Sequence, residues 1–166
     1  MNNTTFHLRK FKLTNFEKDA QELIGCLNGW KVYGYCLSND ANSCVLLSLA
    51  TKMSLVDANH LIKGMAKLMK KACVGKPLEN MYDDKQCHES FTFVRATGNE
   101  QKVYRIWPGG YVRIYFCYGA DRSIIIFYGL SKRKDKLTEG EESALKNVCE
   151  AFLVAQDLNQ LNIIVE

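Results

Sequence analysis

A chain of 166 residues, 47% hydrophobic and 24% charged, holds enough apolar material for one folded domain with a real core. Neither Pro nor Gly is in excess, which argues against a disordered or fibrous chain, and no apolar run approaches the ~18–20 residues a membrane helix requires. The net charge of +4 is unevenly placed: residues 102–136 carry eight basic and two acidic side chains, residues 52–76 six and one, and residues 137–166 one and six.

Such segregation implies a basic face suited to a polyanion, although a solvated helix face plus a Lys-rich loop accounts for it equally well. The first ten residues lack the apolar region of a signal peptide. Seven cysteines, odd in number and never spaced Cys-x-x-Cys, predict reduced thiols in a cytoplasmic protein, with neither a disulfide framework nor a zinc site. No membrane partner is expected.

In chain order, residues 6–13 alternate weakly and read as a short strand or an ordered arm. Thr14 and Glu17 form a capping-box pattern, and Phe16, Ala20, Leu23, Ile24 and Leu27 follow at helical spacing, so a short amphipathic helix ending at Asn28-Gly29 is expected. Residues 30–37 have strand composition, with Gly34 a candidate bulge. Residues 44–52 fit a buried helix slightly better than a strand. A longer helix follows from Ser54 to Val74, closed by Gly75 and Pro77. Residues 78–90 show no period and read as a loop, and residues 91–97 as a strand.

The stretch 102–136 organises the rest. Three β-rich runs are separated by the turns Pro108-Gly109-Gly110 and Gly119-Ala120-Asp121, which predicts an antiparallel meander delivering the chain into the basic loop Lys132-Arg133-Lys134. Thr138 and Glu141 then form a capping box for a final helix carrying Leu145, Val148, Cys149, Phe152 and Leu153. The tail 161–165 is short, apolar and ambiguous. These elements predict an α+β fold: an antiparallel twisted sheet of three to four strands, helices packed on one face, and an N-terminal helical extension. Residues 1–166 are read as a single domain, with 1–28 the extension and 29–158 the core.

The usual catalytic signatures are absent: no phosphate-binding loop, dinucleotide fingerprint, nucleophile elbow or zinc-protease motif. His7, His60 and His88 lie far apart in sequence, and Cys87-His88 has no partner pair, so neither a metal site nor a cofactor is expected. All seven cysteines read as structural. What remains is one face of the meander. Val112, Ile114 and Phe116 point one way as core; Tyr111, Arg113 and Tyr115 point the other, and Arg105 across the hairpin can share their face. Guanidinium suits phosphate and Tyr suits unstacked bases, which makes RNA the natural ligand; ordinary packing of long side chains on a half-exposed sheet is the competing account.

The residues 103–106 (Val-Tyr-Arg-Ile), 110–116 (Gly-Tyr-Val-Arg-Ile-Tyr-Phe) and 124–134 (Ile-Ile-Ile-Phe-Tyr-Gly-Leu-Ser-Lys-Arg-Lys), followed by a capped helix, resemble the C-terminal half of the RelE/HigB toxin superfamily. Residues 27–33 resemble the start of its YhaV branch, and in outline the likeness spans about residues 28–155. The resemblance implies a metal-independent endoribonuclease of a toxin–antitoxin pair, acting on mRNA, often on the ribosome, by attack of a 2′-hydroxyl on the adjacent phosphate. It also implies a cognate antitoxin protein. It assigns Arg105, Arg113, Lys132 and Arg133 to phosphate and transition-state stabilisation. Tyr111, Tyr115, Lys134 and Lys136 are assigned to RNA binding. Where many members carry a Tyr or His near the start of the last helix, this chain has neither. Glu139, Tyr128 and Tyr118 are left as proton-transfer groups, and the missing aromatic motivates a second reading, a non-catalytic module binding RNA, ribosome or protein on the same fold.

Overall fold

Alternating and continuous apolar runs generate one large sheet. The computed structural model describes residues 5–133 and 136–166. Its strands are β1 (Phe6–Lys10), β2 (Lys31–Cys36), β3 (Cys87–Val94), β4 (Glu100–Gly109), β5 (Val112–Gly119), β6 (Ser123–Ser131) and β7 (Leu161–Ile163). Helices α1 (Val45–Ala50) and α2 (Leu55–Val74) lie between β2 and β3, and α3 (Glu139–Asp157) follows β6. The strand order is β3-β4-β5-β6-β2-β1-β7. The expected meander is its β3–β6 half, antiparallel throughout. Beyond it β2 joins β6 in parallel, β1 pairs antiparallel with β2, and β7 lies parallel to β1.

The fold class is therefore α+β, but the expected sheet of three to four antiparallel strands is corrected to a mixed sheet of seven among the described residues. Nor do the helices occupy one face. Leu46 of α1 and Leu61, Met65 and Leu68 of α2 bury against Val32, Ile106, Ile114, Phe116 and Ile124. On the opposite face Leu145, Cys149 and Phe152 of α3 bury against Leu8, Val103, Tyr115, Ile125 and Phe127. The uninterrupted run Ile124-Ile125-Ile126-Phe127 carries this arrangement, because a central strand covered on both faces has no polar side to alternate with.

The N-terminal helix does not form. Only a 3-10 turn, Leu13–Asn15, interrupts an otherwise irregular path to β2, and Asn15 Oδ1 caps it by accepting from the Lys12 amide at 2.7 Å. Asp19 (φ 62°) and Gly25 (φ 81°) take left-handed conformations that a helix cannot contain. Phe11, Leu13 and Phe16 bury in the α2 core, whereas Ile24 and Leu27 are 94% and 98% exposed. A helix of about a dozen residues with half its stripe unburied lacks the packing that would hold it. Instead Cys26 is disulfide-bonded to Cys73 near the end of α2, against the expectation of reduced thiols throughout; the other five cysteines are free and buried.

Other local signals hold. Ser54 Oγ caps α2 by accepting from the Asp57 amide, and Gly75 ends it at φ 88°. Gly34 is not a bulge: its pairing with both neighbours is regular, and the missing Cβ makes room for the Phe11 ring, which would stand 2.2 Å from it. Gly64 similarly lets α2 lie against Pro108 of β4, whose Cβ is 2.3 Å from where a Gly64 Cβ would be. Gly64→Ala is expected to be net destabilising, by up to about 2 kcal/mol in urea melts. Overpacking costs about 1–3 kcal/mol and the gain in helix propensity returns only about 1.

Candidate functional site

Strand register places four side chains in one row across the meander. His88 of β3 pairs with Arg105 of β4, Arg105 with Tyr115 of β5, and Tyr115 with Tyr128 of β6. At ~4.8 Å per strand the row spans about 14 Å on the α3 side of the sheet. Two irregularities shape it. Ser90 is the extra residue where the β3–β4 register shifts, and Phe127 where the β5–β6 register shifts, so that Phe127 and Tyr128 both turn toward α3.

Arg105 is 5% exposed, and its Nη2 donates to the Lys85 carbonyl at 3.1 Å and meets His88 Nδ1 at 3.2 Å. His88 itself is exposed, with Nδ1 2.8 Å from the Asp84 carbonyl. A carbonyl can only accept, so this shorter contact calls for the proton on Nδ1 and leaves the lone pair of a neutral ring on Nε2. Arg113, 6% exposed, shares the face; its Nη1 donates to the Val112 carbonyl at 3.0 Å and its guanidinium lies 5.6 Å from the Trp107 ring. Tyr115 is fully buried. Of the residues expected to stack bases, Tyr111 alone offers a surface, at 50% exposure. The expectation of an open aromatic and cationic face is thus corrected: Arg105, Arg113 and Tyr115 are covered, and solvent meets the row at its two ends, at exposed His88 and half-buried Tyr128.

The basic loop divides between the two sides. Lys132 turns toward α3, where Nζ donates to Glu141 Oε1 at 2.5 Å and to the Lys136 carbonyl at 2.8 Å. Arg133 is exposed and reaches back over the Tyr111 ring, 5.9 Å from its centre. Lys136 is exposed, and Lys134 lies outside the described residues. A cavity of about 500 Å³ opens between the start of α2 and the β4–β5 hairpin, lined by Val56, Asp57, Tyr111, Ser131, Arg133 and part of Lys132 among others. Arg105 and Arg113 do not line it. The expected site residues therefore fall into two neighbouring groups rather than one cluster.

The capping box at α3 and the Lys132 pair converge on one carboxylate. Lys132, followed by the Thr138 amide, holds the Glu141 carboxyl below its usual range. A depressed carboxylate adds stability that is present above the unfolded value of about 4.3 and lost as pH falls through the folded value. Glu141→Gln is expected to cost about 1 kcal/mol at pH 7, with the gap between the two proteins in urea melts closing as pH falls below the unfolded carboxylate value.

Of the fallback groups, Tyr128 stands in the row itself, opposite Tyr115, and Glu139 is exposed at the start of α3. Tyr118 sits on the α2 side, donating to Glu79 Oε2 at 2.5 Å and accepting from the Leu78 amide at 2.8 Å; burial, then Glu79, pushes its hydroxyl up. Cys117 is fully buried, and burial first pushes its thiol well up, which removes its nucleophilic form. Burial also pushes the Cys87 thiol up to about 12. His88, read as an incidental loop residue, is the functional candidate that the sequence reading missed. The pattern that marks it is the run 87–93, where Cys87 and Phe93 are buried and His88 takes the parity opposite to Cys87. No protein-family model and no curated protein sequence matches the chain.

Proposed function

We propose that the chain is a toxin-type endoribonuclease that cleaves mRNA by attack of a 2′-hydroxyl on the adjacent phosphate, acts in the cytoplasm, on ribosome-bound message, and is neutralised by a cognate antitoxin protein. The observation that carries the reading is the exposed His88 imidazole set 3.2 Å from the Arg105 guanidinium, on the face that also holds Arg113. The reaction needs a base for the 2′-hydroxyl proton, an acid for the departing 5′-oxygen, and positive charge for the phosphorane. His88 Nε2 takes the 2′-hydroxyl proton, and the solvent that reaches exposed His88 supplies the proton for the departing 5′-oxygen. Arg105 and Arg113 supply fixed positive charge from beneath, and Lys136 and Arg133 draw in the backbone. Purified protein incubated with mRNA, with and without ribosomes, is expected to yield new 5′-hydroxyl ends and cyclic phosphates without added metal.

The burial of Arg105 and Arg113 favours a second reading, in which both guanidiniums brace the strand face and the exposed Tyr111, Arg133 and Lys136 bind RNA without cutting it. End chemistry separates the two. RNA retained on the protein with no new 5′-hydroxyl ends sinks the nuclease and supports the binding module. Salt dependence does not separate them, because phosphate contacts weaken binding with salt in both cases.

A further inference from the structure

The cavity beside the β4–β5 hairpin has a chemistry different from that of the strand face. Its walls carry Tyr111 with Arg133 laid over it, and Asp57, whose Oδ2 accepts from Ser131 Oγ at 2.5 Å. Among the described residues this is the one hydrogen bond the Asp57 carboxylate accepts, and no ion pair holds it. A carboxylate offers about four acceptor positions, so most of them are unused. Asp57 is half-buried, its Oδ1 standing 3.6 Å from where a Gly110 Cβ would be, a point that the His60 ring approaches more closely, at 3.0 Å. Val56 on the same wall and Leu55 next to it are exposed apolar side chains, which gives the mouth an uncovered hydrophobic rim.

Lys132 and Arg133 also line the cavity and suit an anion at its mouth, but a phosphate set against Asp57 itself would meet that charge head on. The carboxylate favours a flat, uncharged group that donates hydrogen bonds. We infer that the cavity is a nucleobase subsite selective for guanine, with Asp57 accepting from the base and Tyr111 and Arg133 stacking on it. Guanine is the base whose pairing edge presents two adjacent donors, the ring N–H and the exocyclic amine, matched to the two oxygens of a carboxylate. Adenine and cytosine present one donor beside an acceptor, which a carboxylate repels, and uracil one donor flanked by two carbonyls. The volume of about 500 Å³ admits a purine with room for its sugar. Stacking is tolerant of base identity and so contributes affinity, while the carboxylate contributes choice.

The inference rests on the RNA reading but is tested apart from it. Titration of the full chain with the four nucleoside 3′-monophosphates, followed by NMR, is expected to show guanosine monophosphate bound about tenfold or more tighter than the others. Asp57→Asn should abolish that preference, and Tyr111→Ala should weaken all four alike. Because Asp57→Asn also alters the bond to Ser131, Ser131→Ala serves as the second variant: it removes the same bond, keeps the carboxylate and should keep the preference. Equal affinity for the four nucleotides, or a guanine preference that survives Asp57→Asn, overturns the subsite. Cleavage of RNA without regard to guanine overturns the subsite and leaves the nuclease standing. Guanosine monophosphate bound by a protein that cuts no RNA supports the subsite and removes the nuclease.

Discussion

Alanine in place of His88 is expected to slow RNA cleavage by about 10²- to 10⁴-fold while leaving the fold intact, the usual span for loss of a positioned general base. The side chain is exposed on an edge strand, so little packing is lost with it, and Arg105 keeps its bond to the Lys85 carbonyl. Single-turnover cleavage beside a thermal melt is the measurement. A variant that melts with the parent and cuts at the parent's rate removes His88 from the chemistry. The comparison with Arg113→Ala is informative because the two residues differ in kind. Arg113 is buried and its guanidinium is engaged with the Val112 carbonyl, so its loss should lower both rate and melting temperature, whereas His88 should affect rate alone.

The second large effect concerns stability and arises far from the row. The Cys26–Cys73 bridge closes a loop spanning a sequence separation of 47, and the loop-closure entropy it withholds from the unfolded chain amounts to about 4 kcal/mol. Little else ties down the irregular segment that contains Cys26, since Ile24 and Leu27 beside it are solvent-exposed. The double variant Cys26→Ser/Cys73→Ser, or wild type with reductant, is expected to unfold at a clearly lower urea concentration than the oxidised protein. Unchanged midpoints would mean that the bridge does not constrain the unfolded chain. Wherever thiols are kept reduced, the bridge is lost and the margin of stability is correspondingly smaller.

How much of this was readable in the residues depends on the range of the interactions. The meander was legible because its turns are local: Gly109-Gly110, and Ala120-Asp121-Arg122 one residue later than expected, separate apolar runs, whereas the break in alternation at Phe127 left no mark. Helix α2 was legible from Ser54 at one end and Gly75 at the other. The parallel pairing of β2 with β6 leaves no such mark, since Lys31 finds Ser123 through tertiary packing alone. The N-terminal helix failed for the opposite reason: a local pattern was present, but Phe11, Leu13 and Phe16 are buried by an irregular path that a helix would not follow. At the site, parity correctly put Arg105 and Arg113 on one face. It was silent on how deeply they would be covered, and a start of β3 placed four residues late hid His88 from the same face.

The strand order also divides the sheet unequally in time. The β3–β6 half is built from neighbours in sequence, while β2, β1 and β7 attach to it through a single parallel ladder, Lys31–Gly34 against Ser123–Ile126. Contacts that are close in sequence form early, because little chain entropy is lost in closing them. The meander is therefore the natural nucleus, and the outer three strands dock onto a β6 edge that already exists. Amides of β4 and β5 should exchange only through global unfolding, and those of β1 and β7 through a smaller, cheaper opening. Substitutions in β1, such as Leu8→Ala, should accelerate unfolding and leave the folding rate nearly unchanged. The row that holds His88 and Arg105 lies wholly within the early half, so it can stand assembled while the far edge of the sheet opens and closes.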